Sequence, residues 1–451
     1  MSEHAETLRH AEIERIRQLL VAERSDQLVE RLSDLHASDV ADIVEHLDED
    51  ERRCLMEVLP AEVASEALSE MEDEESPGEL LASLPPDTIA AVVEELADDD
   101  AADLIGELED EDRERVLESV VAPEEIRELL EFPEDSAGGI MTREIVSVPL
   151  GFTASQARAR YRQFAADAED LYTIFVVDPE GRLRGLITLR DLMMESPGSA
   201  VAEFLQQPLA VADVNMDQEE AVRLLSRYNV PSVPVVDDRG ELLGCITFDD
   251  ALDIVEAEGT EDMLRFASVS EEEGLRAGAV SAVKSRLPWL AVNAATLSAA
   301  AFVVWFYEDT IAQLAVLAAA MPVIAGLGGN AGTQALAVTI RRIALAHESP
   351  SERWGAVAKE LLVGVVNGFL IGALVAVVAL ALPSTGPAFG AVVMVAMWVN
   401  LVVASTLGAF FPIVLERLGI DPAVASSIFV TTFTDLLGFL LLLGLATRFL
   451  I

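Results

Sequence analysis

The segment that most constrains this chain is Pro422–Ile451, PAVASSIFVTTFTDLLGFLLLLGLATRFLI, an almost wholly apolar run with one carboxylate, Asp435. About 20 apolar residues cross a bilayer, so the run reads as a membrane helix with an acid near its middle. A charge at that depth costs about 2.5–3.5 kcal/mol on insertion scales, so it faces protein or water and is kept for a reason. Ser427, Thr431, Asp435 and Gly438 recur at spacings of four, four and three, which puts them on one helical face. The stripe fits either a protonated acid bonded to a neighbouring helix or a path for ions or protons, and the second reading is the stronger.

The formal net charge is −48, yet from Ser281 onward acidic and basic residues balance at eight each. The whole excess therefore lies in the first 280 residues. Such a surface repels nucleic acid and anionic lipid and attracts cations. Lys284 and Lys359 are the only lysines, a composition that also suits a high-salt habitat. Cys54 and Cys245 stand apart and form no thiolate cluster, which points to a reducing, cytoplasmic setting. The opening MSEHAETLRH is polar and does not read as a secretory signal.

Between Ser38 and Phe132 a pattern returns about every twelve residues, marked by Leu47, Leu59, Met71, Leu84, Leu96, Leu108, Val120 and Phe132. Apolar pairs such as Ile43/Val44 and Leu104/Ile105 precede the markers by four and three, giving one helical face per unit. Breakers or caps, among them Pro60, Pro85-Pro86 and Pro123, separate the units. The expected structure is a solenoid of short amphipathic helices that bury one another. Its acidic clusters, Asp98–Asp100 among them, are candidate sites for hard divalent cations.

Beyond Glu134 strands alternate with helices, and two blocks align at an offset of 59: FVVDPEGRLRGLITLRDLM (Phe175–Met193) and PVVDDRGELLGCITFDDAL (Pro234–Leu252). Each reads strand, turn, strand, then a helix opened by Thr with Asp three residues on, Thr188/Asp191 and Thr247/Asp250. The blocks resemble a tandem pair of CBS domains. That resemblance implies one compact module that often binds adenine nucleotides, with the Thr-x-x-Asp pairs as ribose ligands. A helix cap accounts for the same residues.

The connector Asp249–Glu273 is crowded with carboxylates three or four apart on a predicted helix, where like charges repel. Five spans follow, at Leu287–Tyr307, Ile311–Ile340, Ala356–Leu382, Ala388–Leu415 and Pro422–Thr447. With the N-terminus cytoplasmic, Lys284, Arg286, Arg341, Arg342, Arg353, Lys359 and Arg417 all flank the inner side, and Arg448 alone lies outside. Gly364, Gly368 and Gly372 form a small-xxx-small ridge for helix packing. The second span carries MPVIAGLGGNAGTQ, where freed backbone must face protein or water, and Asn330, Thr333 and Gln334 suit a pore lining. Asn400 adds a further polar group inside the membrane.

The PVIAGLGGNAGTQ and LGIDPAVASSIFVTTFTDLLGF segments, together with the domain order, resemble the MgtE family of magnesium channels over essentially the whole chain. The resemblance implies a multidomain membrane protein: an α-helical solenoid over 1–133, α/β CBS domains at 134–200 and 201–252, a plug helix over 253–280, and a five-helix transmembrane domain over 281–451. It implies a homodimer in the lipid bilayer of a cell (inner) membrane, multi-pass, with the N-terminus and CBS domains cytoplasmic and the C-terminus outside. It also implies a pore near the two-fold axis and a plug helix that closes this pore when cytosolic Mg²⁺ binds. Asp435 matches the pore ligand, with Asn330, Ser427 and Thr431 where pore-lining groups are expected. Glu258, Glu261, Asp262 and Asp421 match the region where Mg²⁺ pins the plug, and Asp250 and Asp253 the acidic edge of the second CBS domain. Asp98, Asp99, Asp100 and Asp103 are the matching candidates in the solenoid.

The expected function is passive Mg²⁺ influx, with ATP as a candidate ligand of the CBS module. No GxxxxGK[ST] loop and no nucleophile–base constellation stands out, which argues against a pump or an enzyme. The rivals are an H⁺- or Na⁺-coupled divalent cation transporter and a membrane-anchored CBS nucleotide sensor.

Overall fold

The computed structural model describes residues 13–22, 24–72, 75–121, 123–164, 170, 172–267, 269, 279–345, 350–380, 386–418, 420 and 426–451. The chain forms two compact units, Met1–Glu258 and Gly259–Ile451.

In the first unit the twelve-residue pattern becomes a run of short helices, from Ala37–Glu45 and Glu49–Met56 through Ala61–Ser69, Pro77–Ala82, Pro86–Glu95, Asp98–Gly106 and Asp110–Ser119 to Pro123–Leu129. Each marker from Leu47 to Leu108 sits just after a helix and is buried, so the repeat closes every turn with an apolar plug. Alternate helices pack together, as a superhelix requires. Helix starts are fixed locally: Asp48 and Glu51 form a reciprocal capping box, and Pro77 and Pro86 occupy first-turn positions that need no N–H. Arg52 donates to the carbonyls of Glu45 and Leu47, and Arg113 to those of Ile105, Gly106 and Leu108, satisfying helix ends in two repeats.

The offset of 59 persists to single residues in the CBS pair. Strands β1 (Ser147–Pro149), β2 (Thr173–Val177) and β3 (Leu183–Thr188) form one sheet in that order; β4 (Ala212–Asp213), β5 (Ser232–Val236) and β6 (Leu242–Thr247) form the other. Thr173 pairs with Thr188 and Ser232 with Thr247, and both hairpins slip register at the same place, Val176/Val177 and Val235/Val236. Asp178 and Asp237 each accept two backbone N–H groups within their turns, which Gly181 and Gly240 complete with φ of +79° and +78°. Between the sheets the buried carboxylate of Asp170 accepts from the backbone of Tyr172 and Thr173 and from the Ser232 hydroxyl.

After β6 a single 19-residue helix, Phe248–Phe266, runs from the second CBS motif into the connector, across the boundary expected at 252/253. Among its residues only Gly259 disfavours a helix, and one glycine costs about 1 kcal/mol, too little to break it.

Five helices of the second unit are long and apolar enough to cross a membrane: Ala282–Phe306, Leu317–Ile343, Arg353–Leu380, Pro387–Arg417 and Ser427–Phe449. The second span starts at Leu317, not at Ile311. Ile311 instead belongs to a short helix, Glu308–Gln313, ended by Leu314 in a non-helical conformation (φ −131°, ψ 70°). Thr310 of that helix bonds Thr447 at the end of the fifth span, 2.8 Å apart, which holds it in place.

The glycine-rich second span is one continuous helix, Leu317–Leu345. Its glycines serve two faces. A Cβ on Gly332 would lie 2.3 Å from a Val430 methyl of the fifth span, and one on Gly408 of the fourth span would lie 2.3 Å from the Gly332 carbonyl oxygen. Around Gly326 and Gly329 nothing lies within 4 Å of that position. The Gly364/Gly368/Gly372 ridge packs against Val402, Trp398 and Met394 of the fourth span, as the spacing predicted.

Candidate functional site: an acidic joint and a polar membrane seam

In the first unit the solenoid meets the second CBS motif at a group of carboxylates. Asp98, Asp99 and Asp100 open helix Asp98–Gly106, where the positive end of the helix dipole favours acids. Asp99 is 5% exposed and Asp103 is exposed one turn on. Asp100 is the electrostatic centre. Burial first, and then the negative charges of Asp250, Glu70, Asp249 and Asp253, push its pKa from 3.8 up to about 6. Burial also raises Asp250, against the lowering effect of the Thr247 hydroxyl that donates to its carboxylate. Among the described residues no three His, Cys, Asp or Glu groups converge to ligand spacing. The joint is thus a partly buried gathering of like charges spaced wider than direct metal ligation.

The connector residues divide. Glu258 accepts a 2.7 Å hydrogen bond from Gln218 of the second CBS motif, and Glu261 is ion-paired with Arg265 one turn away. The side chain of Asp262, and Asp421 altogether, lie outside the described residues. Thr188 caps its helix by accepting from the Asp191 backbone N–H at 3.1 Å, and Asp191 accepts from Gln206 at 2.6 Å.

In the membrane unit Ser427, Thr431 and Asp435 are half-buried along one stripe of the fifth span. Ser427 and Thr431 line a cavity of 290 Å³ with Arg286, Trp289 and Asn293 of the first span. Asn330 is exposed on the open face of the second span. The opposite face of that span forms an antiparallel seam with the fifth, in which Ile324 meets Gly438, Gly328 meets Thr434 and Gly332 meets Val430. Asp435 and Thr431 each follow a seam residue by one position, so they flank the seam. Asn400, noted in the sequence only as a polar group in the membrane, is wholly buried (0% exposed) against Gly328 and Gly438.

A helical solenoid, paired CBS motifs and five helices long and apolar enough to cross a membrane, one of them carrying an acid near its middle, make up a multidomain membrane protein. Family models agree along the chain: an MgtE intracellular N domain matches residues 35–135, CBS domains match 137–198 and 201–257, and a divalent cation transporter domain matches 321–445. The magnesium transporter MgtE of Enterococcus faecalis is 37% identical over 447 residues, covering 98% of this chain and 96% of its own length. Its namesake from Thermus thermophilus is 35% identical over 325 residues, 71% of this chain and 72% of its length. A crystal structure of the cytosolic domain of the Mg²⁺ channel MgtE in complex with ATP superposes with a TM-score of 0.51 at 35% identity, covering 53% of this chain and 98% of that one. The soluble part of a magnesium transporter superposes equally, TM-score 0.51 at 29% identity over 55% of this chain and 99% of that one. The chain belongs to the MgtE family of magnesium transporters.

Proposed function

We propose that this chain is a homodimeric Mg²⁺ channel that admits Mg²⁺ down its electrochemical gradient and closes when cytosolic Mg²⁺ binds its acidic domains. The observation that carries the reading is Asp100 held among Asp250, Glu70, Asp249 and Asp253. Carboxylates gathered without a compensating cation repel, and a divalent ion reverses the sign of that interaction. Carboxylates spaced too widely for direct ligation suit Mg²⁺, which dehydrates reluctantly and bridges carboxylates through its retained waters. Mg²⁺ then favours closure only through its tighter binding to the compact form. When Mg²⁺ falls, repulsion separates the solenoid from the CBS edge, and the helix Phe248–Phe266 transmits the change toward the membrane. Glu258, Glu261, Asp262 and Asp421 remain candidates for a second Mg²⁺ group at the plug. There Glu258 must first leave Gln218 and Glu261 must leave Arg265.

In the pore, Asp435 from each protomer holds a largely hydrated ion, with Ser427, Thr431 and Asn330 contacting its water shell. Inward flow draws about 2.3 kcal/mol per charge per 100 mV, doubled for a divalent ion. The basic flanks Arg341, Arg353 and Arg417 support an orientation with the solenoid and CBS pair in the cytoplasm and the C-terminus outside. Purified protein in liposomes is expected to carry Mg²⁺ with no opposing H⁺ or Na⁺ gradient, and to stop when Mg²⁺ is added on the cytoplasmic side. A strict need for either gradient would favour a coupled transporter instead.

For nucleotide, the Thr188/Asp191 pair is the better placed of the two. Asp250 is bonded to Thr247 and faces carboxylates that repel a polyanion, whereas Asp191 adjoins the exposed cation of Arg190. ATP binding measured by calorimetry is expected to weaken tenfold or more in Asp191→Ala and to survive in Asp250→Ala. The reverse pattern would move the site to the second motif.

A further inference from the structure

Asn400 is an odd residue for its place. It lies in the fourth span, 0% exposed, with its amide nitrogen donating to the Ile324 carbonyl of the second span at 3.2 Å. Its Oδ1 is buried and has no hydrogen-bond partner among the described residues. Buried side-chain polar atoms are nearly always bonded, and an apolar residue of the same size would fill this space with no such deficit. Stability therefore does not account for an asparagine. Two glycines make room for the amide. A Cβ on Gly328 of the second span would fall 2.4 Å from its Nδ2, and one on Gly438 of the fifth span 3.0 Å from the same atom. The amide sits where the second, fourth and fifth spans meet, beside Thr434, the residue before Asp435.

We propose that Asn400 is a positioning residue for the ion path. It ties the second span to the fourth by one directional hydrogen bond, and against that fixed amide the fifth span is seated through Gly438. The distance between the open face of the second span, which carries Asn330, and Asp435 on the fifth is set by this three-way contact. The role rests on the channel reading above. A hydrated Mg²⁺ ion demands near-ideal octahedral geometry, whereas Ca²⁺ accepts variable coordination, so a loosened gap costs discrimination before it costs flow. What the polar amide adds to packing is a directional hydrogen bond to the Ile324 carbonyl, which selects one register of the second span against the fourth.

The test is a pair of substitutions in full-length protein reconstituted in liposomes, with Mg²⁺ and Ca²⁺ fluxes measured on each preparation and assembly checked by size-exclusion chromatography. Gly328→Ala alone drives a methyl into the amide and is expected to lower assembled protein or flux at least tenfold. Asn400→Ala removes the amide. The double variant fills the vacated space with the new methyl, so it is expected to restore assembly and Mg²⁺ flux while the Mg²⁺ to Ca²⁺ flux ratio stays about tenfold below wild type. A double variant with wild-type discrimination would show that Asn400 only fills space, and would overturn the inference. So would failure of the double variant to assemble, which would make the residue purely structural. Wild-type vesicles that carry no Mg²⁺ would instead overturn the channel reading, a result seen before any variant is made.

Discussion

Replacing Asp435 with alanine is expected to abolish Mg²⁺ uptake while leaving the protein folded. Asp435 is the one carboxylate in the five spans' apolar middle, half-buried beside the seam of the second and fifth helices. In the proposed dimer it supplies the charge that makes a low-dielectric passage tolerable to a hydrated divalent ion. Loss of about 3 kcal/mol of charge–ion interaction corresponds to a fall of roughly 100-fold or more in flux at fixed Mg²⁺. Asp435→Asn keeps the shape and removes the charge, so it is expected to fall as far as alanine. Because a buried acid in lipid is itself a liability, neither change should lower the melting temperature of the detergent-solubilised protein. Uptake that survives in both variants would exclude Asp435 as the pore ligand and reopen the reading of the spans as an anchor.

Much of this architecture is legible in the residues because it arises from local rules repeated many times. The solenoid markers and the offset of 59 carry through to turn glycines and a shared register slip, since each repeat solves the same packing problem with the same side chains. What the sequence hid depends on contacts between distant segments. Nothing in Ile311–Val316 warns that the second span starts only at Leu317, because the apolar run has no glycine or proline there and the break is held by Thr447. The GLGGNAG run suggested freed backbone, yet the helix is unbroken and its glycines instead admit a neighbouring backbone and an amide. Asn400 gave no signal beyond its polarity. Among the acids of the solenoid, Asp100 stands out only once the fold brings it to Asp250, and no local pattern distinguishes it from Asp98 or Asp99.

Neutralising that joint is the second large effect to expect. With Asp100, Asp250 and Asp253 all changed to asparagine, the channel is expected to keep conducting at internal Mg²⁺ concentrations at least tenfold above those that shut the wild type. Stability should follow the same carboxylates. The Asp100 pKa is raised from 3.8 to about 6, so its contribution is intact below pH 4 and is lost as pH rises through about 6. At about 1.4 kcal/mol per pH unit the loss is roughly 3 kcal/mol, an upper bound because Asp250 titrates in the same field. Thermal unfolding of wild-type protein without Mg²⁺ should therefore move to lower temperature between pH 4 and pH 7, and Mg²⁺ at pH 7 should reverse the change. Asp100→Asn should flatten the pH dependence and reduce the response to Mg²⁺ together, since both act on one charge. If shut-off persists in the triple variant, or if Mg²⁺ stabilises Asp100→Asn as strongly as wild type, the cation that closes the channel binds elsewhere. The carboxylates of the plug, Glu258, Glu261 and Asp262, would then become the sensor by the same electrostatic argument.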